Sequence, residues 1–325
     1  MQLKANTILP PIGSLLLISP FFLWGTAMVA MKGVIPNTTP LFMAGVRLVP
    51  AGVLVLVAAT VMGRPQPKGW LAWLWIGVFA LVDGAMFQGF LAQGLVSTGA
   101  GLGSVMIDSQ PLVVALLSAL LFGELIGLWG WLGLGFGIVG ISLIGFPDQW
   151  ILSLFTGNAH AIELSWEQLF DHGEWLMLLA SLSMAVGTVM VPMISRYADP
   201  VAAVGWHMLL GGLPLFALSS LIESQQWVNI DGVGWIALAY STVFGSAIAY
   251  GIFFYFASKG NLTSLCSLTF LTPVFALLFG NLVLSEVLSA LQWTGVCVTL
   301  LSIYLVNQRE QIASRIKARL ANNSG

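Results

Sequence analysis

Three formal charges stand inside long apolar stretches of the chain: Arg47 in "PLFMAGVRLVPAGVLVLVAATV", Asp83 in "LAWLWIGVFALVDGAMFQGFLAQ" and Asp108 in "GLGSVMIDSQPLVVALLSALLF". A fourth, Lys32, stands near the end of another such stretch. A guanidinium in apolar surroundings is suited to a carboxylate or phosphate, and a buried carboxylate to a cation or a proton. At the centre of a membrane-spanning helix each charge costs about 2.5–3.5 kcal/mol, so each must be paired, wetted or used.

The elements that carry these charges follow from composition. Only 7% of the 325 residues are charged and 58% are apolar, against roughly 25% and 45–50% in soluble domains. The apolar residues come in blocks, and a helix needs about 20 of them to cross a hydrocarbon core. Ten spans are predicted, near 12–34, 40–62, 70–94, 99–122, 127–146, 174–195, 200–222, 233–257, 261–284 and 289–307. Strands of a transmembrane barrel would alternate apolar and polar residues, which these runs do not. The first span is too long for a signal-peptide core and reads as an uncleaved helix.

The chain repeats itself. Pro111 and Glu124 recur as Pro273 and Glu286, Trp131 and Gly133 as Trp293 and Gly295, each 162 positions on. "GTAMVAM" (25–31) returns at the same shift as "GTVMVPM" (187–193), and Gly69-Trp70 as Gly234-Trp235 at a shift of 165. The expected fold is an all-α polytopic membrane protein of ten transmembrane helices in two five-helix repeats. An odd number of helices per repeat inverts the second copy, a device of secondary transporters. The expected layout is a first repeat (1–146), an extracytoplasmic loop (147–173), a second repeat (174–307) and a basic tail (308–325).

Lys4, Arg64, Lys68, Arg196, Lys259, Arg309, Arg315, Lys317 and Arg319 fall on the side of the termini, and of the loops opposite only Lys32 lies near a span end. The excess of positive charge places both termini in the cytoplasm of a cell (inner) membrane. The tail sets Ile312, Ile316 and Leu320 four residues apart among basic residues, a pattern for the anionic membrane surface rather than for nucleic acid. His160 and His172 stand among acids in the loop but match no metal-ligand spacing, and Cys266 and Cys297 read as apolar core. No cofactor and no metal are expected.

With that orientation, a 1.5 Å rise per residue puts Arg47 about 10 Å, Asp108 about 13 Å and Asp83 about 16 Å below the outer ends of their helices. Either these residues line a water-filled cavity in which Arg47 meets an anionic group of a substrate, or Arg47 pairs permanently with Asp83 or Asp108. Lys32 is read as reaching the surface. Pro111 and Pro273 each free a carbonyl in corresponding helices, Ile107 and Thr269, and mark candidate hinges. His207 takes the place of Arg47 in the second repeat and enters from the cytoplasmic side, so it or Asp83 could carry a proton. Local shifts of 160–165 set Ile248 opposite Asp83. Trp24, with Phe21 and Phe22, could wall a pathway, and the glycines at 133, 135, 137 and 140 include a GxxxG step for close helix packing.

"WGTAMVAMK" (24–32), "PLFMAGVR" (40–47) and the two helices that run from proline to glutamate, each followed by Trp-x-Gly, resemble the EamA-like family of the drug/metabolite transporter superfamily. The resemblance covers both repeats. It implies a ten-helix exporter or exchanger of small metabolites, often amino acids or related amphipathic compounds. The family's Trp-Gly, Lys and Arg fall on Trp24, Gly25, Lys32 and Arg47, whereas the second repeat has Val186, Ile194 and His207 in those places. Expected partners are a small-molecule substrate and membrane lipids, with a coupling proton and a homodimer as further candidates. An intramembrane enzyme would need a nucleophile with its base or a ligand cluster, and only an Asp83–Asp108 dyad could serve it. A structural membrane protein would tolerate apolar replacements at Arg47, Asp83 and Asp108.

Overall fold

In the computed structural model, residues 11–122, 127–145, 148, 151–152, 173–259, 268–285, 287–309 and 311–314 are described. Glu124, Glu286, Cys266, most of the 147–173 loop and the tail beyond 314 lie outside them. The first half comprises α1 (Pro11–Val34), α2 (Pro40–Val61), α3 (Trp70–Phe79), a π-helical segment π1 (Ala80–Met86), α4 (Phe87–Ser97), α5 (Ala100–Ile107), α6 (Gln110–Phe122) and α7 (Leu128–Gly145). The second comprises α8 (Gly173–Ile194), α9 (Pro200–Ile222), α10 (Gly232–Tyr240), π2 (Ser241–Ile248), α11 (Ala249–Lys259), α12 (Leu271–Leu284) and α13 (Ala290–Asn307).

Helix falls within each expected span. Six continuous helical stretches, Leu15–Asn37, Pro40–Val61, Trp70–Ser97, Gly173–Ile194, Pro200–Ile222 and Gly232–Phe256, are long and apolar enough by themselves to cross a membrane. The apolar residues are distributed as a lipid solvent dictates. Val61, Leu120, Ile138, Leu221, Ile236 and Leu282 are exposed, whereas Arg47, Asp83, Gln88, Asp108 and His207 are buried. A surface so apolar would associate in water, and among lipid tails it carries no such cost. The chain is an all-α polytopic membrane protein.

Glycine sets the contact between the halves. A Cβ on Gly45 would meet the Phe216 ring and one on Gly205 would meet Leu56; one on Gly52 would meet Leu209 and one on Gly212 would meet Val49. As the number rises on α2 it falls on α9, so these equivalent helices run antiparallel and exchange the same contacts. That reciprocity is what a twofold relation between inverted halves requires. On α7 and α13 the pattern recurs: Gly133, Gly137 and Gly140 approach Ser302, Thr299 and the Gly295 carbonyl, and the Ser302 hydroxyl donates to the Gly133 carbonyl at 2.5 Å. Gly135 has open space and no part in it.

Polar caps tie the ends of the α2–α9 pair. The Glu223 carboxylate accepts from the Thr39 hydroxyl at 2.7 Å and from the backbone N–H groups of Leu41 and Phe42 at 2.9 and 3.0 Å. At the other end Asp199 caps α9 through the N–H groups of Val201 and Ala202, and Arg64 approaches it at 3.3 Å.

A methyl at Gly52 would lie 2.7 Å from the Leu209 nitrogen and 2.8 Å from the Gly205 oxygen, both backbone atoms that cannot rotate away. Gly52→Ala is therefore expected to destabilise the chain by about 1–3 kcal/mol through overpacking. Gly77→Ala, with nothing within 4 Å, should be neutral or stabilising by up to about 1 kcal/mol from helix propensity. Thermal unfolding of the two variants in the same detergent checks the contrast.

Candidate functional site

A small cavity lies between the halves, walled by Trp24, Met28 and Met31 of α1, Arg47 of α2, Phe87 and Gln88 of α4, Ser104 of α5, Asp108, Met184 of α8, Gly245 of π2, Tyr250 of α11 and Thr272 of α12. Arg47 is 4% exposed. Its Nη2 donates to Gln88 Oε1 at 2.8 Å and to Ser246 Oγ at 3.4 Å, and Nη1 meets the Met31 sulfur. Gln88 Nε2 in turn donates to the Tyr250 hydroxyl at 3.1 Å. The guanidinium is held by neutral acceptors on three elements, not by Asp83 or Asp108, so its charge is oriented without a partner carboxylate among the described residues.

Three polar atoms of the lining have no hydrogen-bond partner among the described residues: Arg47 Nε, Trp24 Nε1 and Thr272 Oγ1. The first two can only donate and the third can donate. A buried unsatisfied donor costs about 1–3 kcal/mol, and an anionic group entering the cavity would remove that cost. Trp24 stands edge-on to Tyr250, with ring centroids 5.2 Å apart, and against Phe253 at 5.1 Å. This supplies an apolar, aromatic wall beside the donors.

Asp108 sits in a break between α5 and α6. Its N–H bonds the Ser104 carbonyl at 2.9 Å, and its carboxylate accepts from the Ser104 hydroxyl at 3.1 Å. Pro111 follows on α6, and the carbonyl of Ile107 that it leaves free accepts from Ser181 of α8 at 3.2 Å. In the second half Pro273 follows a 3-10 turn, Leu268–Phe270, that precedes α12. The first proline helix is thus interrupted just before its proline, and in the second half the turn at the equivalent place leads directly into α12.

Asp83 takes its partner from the other half. Its Oδ2 lies 3.1 Å from His207 Nε2 on α9, an ion-pair distance at which Oδ2 still makes no directed hydrogen bond. His207 Nδ1 is 2.7 Å from the Val204 carbonyl, and the Phe79 ring covers the imidazole at 4.3 Å. Gly187 of α8 leaves the room that the Asp83 carboxylate fills, since a Cβ there would stand 2.5 Å from Oδ1. His207 is therefore buried between the halves, 2% exposed. Neither residue belongs to the cavity lining, and the two carboxylates take different partners.

Lys32 is also outside the cavity. Its ammonium donates to the carbonyls of Leu95 and Val96 at 2.8 and 3.0 Å, closing the C-terminal end of α4, where a cation is favoured. Sequence reasoning missed Gln88, Tyr250, Ser246 and the two π segments. The repeat held a signal, because Gln88 and Tyr250 are polar residues 162 positions apart within matching apolar runs. The Gly-Trp echo at 165 obscured it: α3 begins at Trp70, after Gly69, whereas α10 begins at Gly232, capped by Asp231. The spans themselves, Trp70–Ser97 and Gly232–Lys259, align at 162, which sets Gly245, not Ile248, opposite Asp83.

The comparisons agree with this architecture. The sequence profile of the EamA-like transporter family matches residues 11–146 and 172–308. An "uncharacterized transporter" of Synechocystis sp. is 63% identical over 98% of this chain and 96% of its own length. A chloroplastic "WAT1-related protein" of Arabidopsis thaliana is 54% identical over 90% of this chain and 68% of its own. An "uncharacterized inner membrane transporter" of Escherichia coli K12 is 26% identical over 94% of this chain and 92% of its own. A crystal structure with 17% identity superposes with a TM-score of 0.62 over 91% of this chain and 97% of that one, a likeness of fold. With two profile matches that fill both halves and relatives of this identity, the chain belongs to the EamA-like transporter family.

Proposed function

We propose that the chain is a secondary transporter that exports small amphipathic metabolites, amino acids or related compounds, by alternating access between its inverted halves. The cavity between those halves carries this reading, because Arg47 Nε, Trp24 Nε1 and Thr272 Oγ1 are donors without partners among the described residues. A carboxylate suits the donors, an ammonium suits Asp108, and an apolar body suits the wall of Trp24, Phe87 and the methionines. The break before Pro111 and the 3-10 turn before Pro273 are the bending points of this reading, with Pro111 and Pro273 as hinges. Both termini are assigned to the cytoplasm by the distribution of basic residues.

Binding alone tests the pocket. Apolar amino acids, phenylalanine included, and their decarboxylated amines are added to the purified protein while thermal unfolding is followed. A compound at 100 times its Kd stabilises the folded state by about 2.7 kcal/mol. At least one carboxylate-bearing compound is expected to raise the melting temperature, its amine is not, and Arg47→Lys should weaken the effect because the planar fork is lost. Equal shifts from acids and amines would contradict the assignment of Arg47.

A further inference from the structure

The two halves are unlike at one pair of equivalent positions. In each, the basic residue of the second span meets the π segment of the other half. Arg47 of α2 reaches Ser246 of π2, and His207 of α9 reaches Asp83 of π1. The first contact joins a permanent cation to a neutral hydroxyl and has no proton to exchange. The second joins two groups that can both titrate. π segments within α-helices are frequent at functional sites, and here both fall where the halves touch.

We infer that Asp83 and His207 form one proton-binding site, filled and emptied in each transport cycle, that couples substrate movement to a proton gradient. The inference rests on the transport reading. Its physical basis is the direction of the bonds. The Val204 carbonyl can only accept, so His207 Nδ1 carries a hydrogen. Nε2 then lies 3.1 Å from Asp83 Oδ2, off the line of a directed hydrogen bond, and a further proton on the imidazole is what gives the buried carboxylate a counter-charge. With that proton the contact holds π1 of the first half against α9 of the second. Without it the carboxylate lies beside a neutral ring, the ion-pair attraction is gone, and separation of the two elements is favoured. Proton occupancy and the distance between the halves are thereby linked, which is what coupling demands of a two-state element.

The surroundings leave this contact to the pair. α8 presents Gly187, and α3 presents the Phe79 ring. Tyr250 of α11 has its ring centroid 6.5 Å from the imidazole, and its hydroxyl is engaged by Gln88. Gln88 also binds Arg47 of α2. Among the described residues Tyr250 and Arg47 are thus the titratable and charged groups nearest the pair, and Gln88 and Tyr250, which also line the cavity with Asp108, connect it to the proton site.

The test uses the full chain in proteoliposomes with labelled phenylalanine as the probe. Two quantities are read: exchange against internal phenylalanine without a pH gradient, and accumulation driven by one. Wild type is expected to accumulate the probe at least fivefold in a gradient. In Asp83→Asn and in His207→Gln the ratio of accumulation to exchange should fall tenfold or more. A pair that serves structure alone would lower both quantities together and leave the ratio in place, and that result would overturn the inference. If wild type exchanges no phenylalanine, the transport reading fails for this probe, and the proton is examined directly. Nitrogen NMR of labelled histidine, in a chain with His160 and His172 replaced by asparagine, should show His207 changing protonation between pH 5 and 9, at a pH that Asp83→Asn moves by more than one unit. A His207 signal constant over that range, or indifferent to Asp83→Asn, overturns the proposal.

Discussion

Arg47→Ala is expected to lose nearly all export while the chain remains folded in the membrane. The guanidinium is held by Gln88, Ser246 and Met31, none of which is charged, so its removal strands no buried carboxylate. Removal does take away the one fixed cation among the cavity residues, and with it the group that would meet a substrate's anion. Truncating one partner of a buried charged contact costs about 2–5 kcal/mol, which at 1.4 kcal/mol per tenfold is roughly a 30- to 4000-fold loss of affinity. Release of substrate per unit of protein in the membrane is the measurement.

His207→Leu is expected to act on stability, in the opposite manner to Arg47→Ala. Asp83 is 4% exposed, and His207 is the ion-pair partner described for it. Deleting the imidazole leaves a buried carboxylate facing a leucine, and breaking a buried pair in this way costs about 3–5 kcal/mol. Replacing both members, as Asp83→Leu with His207→Leu, removes the charge that needed the partner, so the double variant should recover much of that loss. Unfolding in detergent of the two single variants and the double one closes the cycle. An additive double variant would mean that the two residues do not interact.

These contrasts show what the sequence carries and what it leaves out. Composition and block length expose the helices, since a membrane core admits few alternatives. The shift between Pro111 and Pro273 exposes the duplication, and an odd helix count exposes its inversion. The expense of Arg47, Asp83, Asp108 and His207 among apolar neighbours singles them out. What sequence reasoning did not give is the choice of partner. Three of the four charges of the first half invited pairing among themselves, yet Asp83 meets His207 and Lys32 caps the end of α4. Those choices depend on how the halves interlock, which periodicity within either half does not encode. The π segments escaped for a related reason: one additional residue per turn is a matter of packing, here around Gly84 and Gly211, whose backbones meet between π1 and α9.

A role of Arg47 in transport is open to direct measurement. Metabolites released into the medium are compared for cells producing the wild-type chain, cells producing Arg47→Ala at equal abundance in the membrane, and the empty host. The account predicts a carboxylate-bearing amphipathic compound enriched outside with the wild type and at host level with Arg47→Ala. Equal release by wild type and Arg47→Ala, or no compound that distinguishes the wild type from the host, would contradict it.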